Sequence, residues 1–106
     1  MSIKQARLAG AAIFAGFVTC LAPPSHAASI TPPATIYAHV CGYCHGTNVG
    51  PIILGKHVPV DVIKMYVRRG PAAMPAFRPT EITDAELDAL AQWISVSQPN
   101  PTEHGQ

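Results

Sequence analysis

Three stretches of this chain place apolar residues three and four positions apart, the spacing of one face of an α-helix. In the first, Ile36, Tyr37, Val40, Cys41 and Cys44 share a face, which predicts a helix over about 33–44. Thr31 followed by Pro32 and Pro33 suits its start, with a capping hydroxyl and proline in the first turn. The second stretch is Val60 to Arg69. Val62, Ile63, Tyr66 and Val67 form its inward face, and Gly70 with Pro71 provides the stop. The third carries the most signals. Thr83-Asp84-Ala85-Glu86 reads as a capping box, and Ile82 with Leu87 suits a hydrophobic staple. Leu87, Leu90, Ala91 and Ile94 then follow the i, i+3, i+4, i+7 pattern, and the helix is expected to stop near Ser97, before Pro99. No alternating strand pattern, internal repeat or second domain is visible, so the expected class is all-α.

The segments between these helices differ in character. Gly46 to Pro59 is rich in Gly, Asn and Pro and reads as a loop. The stretch GPAAMPAFRP, residues 70–79, has three prolines in ten residues and cannot form a regular helix. It is also apolar, whereas connecting loops usually lie polar on the surface. Something apolar is expected beneath it. Residues 28–32 read as a flexible lead, 33–97 as one domain and 98–106 as a disordered tail.

The apolar run at the start follows another logic. Lys4 and Arg7 precede an uncharged run from Leu8 to Leu21, and Ser25 and Ala27 sit as small residues before a cut. This is the layout of a secretory signal peptide over 1–27. A membrane-spanning helix needs roughly 20 apolar residues, and this run ends sooner at Pro23-Pro24. A lipid anchor at Cys20 is disfavoured by Thr19 before it. The mature chain would begin at Ala28, with no membrane span, and export places it in the periplasm.

Removal of the leader also removes Cys20, Lys4 and Arg7. Five Lys and Arg then face six Asp and Glu. A near-neutral balance argues against nucleic acid, which rewards a basic face. A domain this small rarely builds a sufficient core alone, and two cysteines allow at most one disulfide. A large bound cofactor would supply what the chain lacks.

Candidate chemistry concentrates in CGYCHGTNVGP, residues 41–51. C-x-x-C-H is a c-type haem attachment pattern. Two thiols three residues apart reach the two vinyl groups on one porphyrin edge, and the next residue offers an imidazole to the iron. Cys41 and Cys44 are therefore candidate thioethers for one covalent haem c, and His45 the candidate proximal ligand. A structural zinc site needs four ligands, and no second Cys pair or paired histidine spacing exists among His39, His57 and His104. A thioredoxin-like CxxC belongs near a βαβ pattern, which is missing. For the distal ligand, Met65 lies within the second helix and reads as core filling. Met74 lies in the proline-rich loop, 29 residues beyond His45, stiffened by Pro71 and Pro75. It is the candidate distal iron ligand, ahead of His57. His/Met ligation fills both axial positions and predicts outer-sphere electron transfer. The alternative is a haem protein with an open distal site for ligand binding or peroxidatic chemistry.

These residues resemble the small monohaem class I cytochromes c over about Ala34 to Ser97. The resemblance is carried by CGYCH at 41–45, GPIILG at 50–55, AMPAF at 73–77 and the last helix with Leu90, Trp93 and Ile94. It implies a fold of three or more short helices around one covalent haem. It also implies that the Pro51 carbonyl accepts a hydrogen bond from His45, and that Tyr37 packs on the last helix near Trp93. Ile53 stands where the family often has Leu, and the family's basic docking ring is missing. More narrowly, the short chain and VRRGPAAMPAF resemble the cytochrome subunits of flavocytochromes of the p-cresol methylhydroxylase type. That resemblance implies a partner, an FAD-containing dehydrogenase of 4-alkylphenols, and a downstream cytochrome or copper protein as acceptor. Arg68, Arg69, Glu81, Asp84, Glu86 and Asp88 could orient such docking, although a solvated surface is the simpler account of them.

Overall fold

A computed structural model describes residues 28–105 together with Gly10, Gly16 and Ala22. The signal-peptide expectation for 1–27 otherwise lies outside the described residues, as does Cys20. Among the described residues no helix is long and apolar enough to cross a membrane. The elements run α1 (Pro33–Ile36), a π-helical turn (Tyr37–Cys41), α2 (Gly42–His45), α3 (Val60–Arg69) and α4 (Asp84–Ser95). The fold is all-α. The first three elements are continuous, so the expected first helix is one rod with a wide turn in its middle. Across that turn the Gly42 N–H bonds Tyr37 O, five residues back.

Local chemistry explains most boundaries. Pro33 opens α1 at a position where a missing N–H costs nothing. Thr31 is not its cap: Pro32 takes the N-cap position, and the Thr31 N–H reaches Glu86 Oε1 at 3.1 Å instead. Gly70 ends α3 with φ 62°, and its N–H bonds Tyr66 O at 2.8 Å. Thr83 and Glu86 form the reciprocal capping box at the start of α4. Glu86 Oε2 accepts from the Thr83 N–H at 3.0 Å and the Thr83 hydroxyl at 2.9 Å. The hydrogen bonds from Thr31 and Thr83 hold the Glu86 carboxyl down at about 2. A depressed carboxylate stabilises the fold above its ordinary range, and that contribution fades as pH falls toward about 2.

The core lies where α4 crosses α1 and α3. Leu87, Leu90, Ala91 and Ile94 form the buried stripe of α4, against Ile36, Tyr37, Ile63, Val67 and Ile82. The Tyr37 and Trp93 rings meet with centroids 5.5 Å apart, tilted by 49°. Two expectations for α3 change. Met65 is 37% exposed and fills no core, and Tyr66, 46% exposed, lines a cavity instead of joining the interior.

The tail departs most from expectation. Residues 98–105 fold back on the opening helix where the sequence predicts disorder. The His104 N–H bonds Gly46 O at 3.0 Å, and the Asn48 N–H bonds His104 O at 2.7 Å. The Tyr37 hydroxyl donates to Glu103 Oε1 at 2.8 Å. The physical reason is satisfaction of polar groups. A buried tyrosine needs a partner for its hydroxyl, and the loop leaving α2 needs partners for its backbone. Burial, aided by Glu103, pushes the Tyr37 hydroxyl well above its ordinary range, so it remains a donor at any physiological pH. Glu103 Oε2 is buried without a partner of its own. Tyr37→Phe keeps the ring but strands the rest of that carboxylate. It should cost about 1–3 kcal/mol in urea unfolding and speed amide exchange at Asn48 and His104. Unchanged exchange at both amides would mean that the tail is held by other contacts.

Candidate functional site

Cys41, Cys44 and His45 reach one wall of a cleft because the π-helical turn and α2 carry them there. The chain after α2 turns sharply. The Thr47 hydroxyl donates to Tyr43 O at 2.6 Å, Gly50 N–H bonds Cys44 O at 2.8 Å, and Asn48 takes φ 63°. This returns Pro51 to the imidazole, where His45 Nδ1–H donates to Pro51 O at 2.7 Å. Gly50 allows the approach, since a Cβ there would stand 3.3 Å from His45 Nδ1. A carbonyl accepts only, so the proton sits on Nδ1 and the Nε2 lone pair is left for a metal. Burial pushes the Cys41 thiol up to about 11, which keeps it neutral at pH 7.

Met74 lines the same cleft from another loop. Its loop leaves α3 through left-handed Gly70, passes Ala72 at φ 51°, and turns with the Met74 N–H on Pro71 O at 3.0 Å. It closes where the Phe77 N–H bonds Val67 O at 2.9 Å. Two cavities of about 240 and 350 Å³ adjoin each other here, and Cys41, His45, Val67, Pro71 and Met74 line both. The second is completed by Pro51, Ile52, Ile53, Val58, Ile63, Tyr66 and Ile94. Apart from His45 the lining is almost wholly apolar. Protein interiors rarely hold voids much larger than a water molecule. An apolar cleft of this size, lined by two thiols, an imidazole and a thioether, fits a large flat apolar group carrying a metal. Among the described residues no group of three or more His, Cys, Asp and Glu comes together as a metal-ion set.

Known proteins fit the same picture. A family model described as cytochrome c oxidase, cbb3-type, subunit III matches residues 28–94. The chain belongs to that family of c-type cytochromes. Its cofactor is haem c. The 4-cresol dehydrogenase [hydroxylating] cytochrome c subunit of Pseudomonas putida is 41% identical over 68 residues, covering 62% of this chain and 59% of that protein. The match therefore spans less than two thirds of that relative's length. A crystal structure of p-cresol methylhydroxylase with substrate bound aligns at a TM-score of 0.57 and 37% identity, covering 63% of this chain and 93% of that one.

Within this cytochrome fold the cleft also uses Val49 and Val58, which the sequence reading left unmarked, and Val40 and Val67, which it marked only as helix-face positions. Val67 and Val58 carried a signal, since helical periodicity marks the first and the apolar interruption of a Gly- and Pro-rich loop marks the second. The surface charges behave differently from docking groups. Lys64 pairs with Asp88, Arg68 with Asp84 at 2.6 Å and Arg78 with Glu81 at 3.6 Å, while Glu86 serves the capping box. These charges largely answer one another within the chain.

Proposed function

We propose that this cytochrome is the electron-carrying subunit of a periplasmic flavocytochrome. Cys41 and Cys44 would hold haem c through thioethers, and His45 Nε2 and the Met74 sulfur would be the protein ligands of its iron. Its donor is an FAD-containing dehydrogenase of 4-alkylphenols, and its acceptor is a soluble cytochrome or copper protein. A cleaved leader over 1–27 delivers the chain to the periplasm. The observation that carries the reading is the shared lining: Cys41, His45 and Met74 all line both of the adjoining apolar cavities.

Haem c, when bound, supplies a one-electron redox centre. The chain's residues set its surroundings. Pro51 fixes the His45 ring and raises its basicity as a ligand. With Met74 as a ligand, no place would be left on the iron for dioxygen or peroxide, which favours passage of electrons over chemistry on a small molecule. The Val, Ile and Pro side chains of the cleft give it an apolar wall, which favours the less charged, reduced state. The near-neutral surface suits a lasting partner held by apolar contact rather than charge steering.

The test has two arms. The haem-loaded oxidised protein, mixed without oxygen with an FAD-containing 4-alkylphenol dehydrogenase and its substrate, should be reduced, and absence of reduction would overturn the partner assignment. The reduced protein should bind carbon monoxide slowly and incompletely. Rapid, complete binding would sink Met74 as ligand and favour an open distal site.

A further inference from the structure

Arg68 reads in the sequence as one of two adjacent surface arginines. In the fold its side chain is 24% exposed and bonds three residues between the Met74 loop and the start of α4. One guanidinium nitrogen donates to Phe77 O at 3.0 Å and to Ile82 O at 2.9 Å. The other pairs with Asp84 Oδ1 at 2.6 Å. Phe77 ends the Met74 loop, Ile82 is the buried residue before α4, and Asp84 opens α4. Phe77 is thus gripped at both its polar groups, by Val67 O on its N–H and by Arg68 on its carbonyl.

We infer that Arg68 is a positioning residue for the iron site, clamping the Met74 loop to α3 and α4 so that the sulfur stays over its side of the cleft. The inference rests on the proposed Met74 ligation.

The geometry favours arginine for a physical reason. A planar guanidinium presents donors in a fixed fork, so one side chain can hold two carbonyls and a carboxylate without rearranging. Lysine carries the same charge but no such fork. The loop needs an outside brace, because it has few internal bonds and includes Ala72 at φ 51°, a left-handed conformation that an alanine adopts at a cost. Two carbonyls that point at a partly buried cation are strong holds, since hydrogen bonds to charged groups exceed neutral ones. Arg68 lines neither cavity, so its influence passes through the loop rather than through contact with the cofactor.

The experiment uses the haem-loaded protein and three variants: Arg68→Ala, Arg68→Lys and Asp84→Asn. Three signals are read: the sulfur-to-iron charge-transfer band of the oxidised form, helix content by far-UV circular dichroism, both against urea, and carbon monoxide association to the reduced form. Arg68→Ala should lose the band at lower urea than it loses helix, and should bind carbon monoxide roughly tenfold faster, the weight of a hydrogen bond to a charged group. Arg68→Lys should fall between wild type and alanine. Asp84→Asn, which keeps both carbonyl bonds, should stay within roughly twofold of wild type. If Arg68→Ala loads no haem, Arg68→Lys decides. Band and helix midpoints that fall together, or carbon monoxide rates unchanged in Arg68→Lys and Arg68→Ala, would overturn the inference and leave Arg68 a stabilising residue only. A wild-type protein without the band would overturn Met74 ligation itself, a different failure.

Discussion

Serine at both Cys41 and Cys44 should abolish covalent haem attachment completely. Acid-acetone should then extract all pigment, and denatured protein should show no haem-dependent peroxidase stain on a gel. Each single variant should retain one thioether and a stainable band. The reason is positional: Cys41 and Cys44 are the cysteines of the described residues, and both line the cleft. The effect should extend beyond pigment. Apolar cavities of about 240 and 350 Å³ border the core residues Val67 and Ile94. Leaving that apolar surface uncovered removes much of the burial on which a domain's stability, about 5–15 kcal/mol, depends. The haem-free double variant should therefore show weak helix signal and no cooperative thermal transition. Retention of covalent haem in the double variant would place attachment elsewhere.

Valine at Gly70 should be the most damaging single change away from the attachment motif. Gly70 combines φ 62° with a close approach to the Met74 loop. A Cβ there would lie 2.6 Å from the Pro75 carbonyl carbon and 2.7 Å from Met74 O. A β-branched residue meets both the left-handed conformation, which it strongly resists, and backbone that cannot swing aside like the tip of a side chain. The two penalties together should cost about 3 kcal/mol or more in urea unfolding. Alanine at the same site should show the same sign and a smaller size. A Gly70→Val protein within about 1 kcal/mol of wild type would mean that the loop does not pack on the end of α3 in this way.

The elements that can be read from the sequence are those whose signals are local. α3 and α4 announce themselves through periodicity, Gly70 and the Thr83–Glu86 box, and the structure begins α4 at the residue after Thr83. CGYCH is equally local, because the proposed attachment needs a fixed spacing within one turn of helix. The features that escaped are those made by distant partners. The tail is short and polar, and its order comes from Tyr37, Gly46 and Asn48, far away in sequence. Thr31 looks like a cap, but Pro32 occupies that position while the Thr31 N–H turns to Glu86 across the fold. Met65 is apolar and helical, yet it sits on the outer side of α3. Arg68 and Arg69 look alike as letters. Only the packing of three segments around one of them separates their environments.

The π-helical turn between Tyr37 and Cys41 has a consequence for how the first helix keeps phase. In a regular α-helix each residue advances about 100° around the axis. Residue 41 would then be the one standing nearly above residue 37. In the wider turn it is Gly42, five residues on, that comes back over Tyr37 and bonds its carbonyl. The part before it can stay keyed to α4 while the part after it turns its cysteines and histidine into the cleft. The spacing inside CGYCH is therefore half of what the chain must preserve. The number of residues between Tyr37 and Cys41 sets the azimuth of the whole motif. Losing one there would let an ordinary α-turn close with the motif still in phase, whereas gaining one more would keep Cys41, Cys44 and His45 and swing all of them away from the cleft.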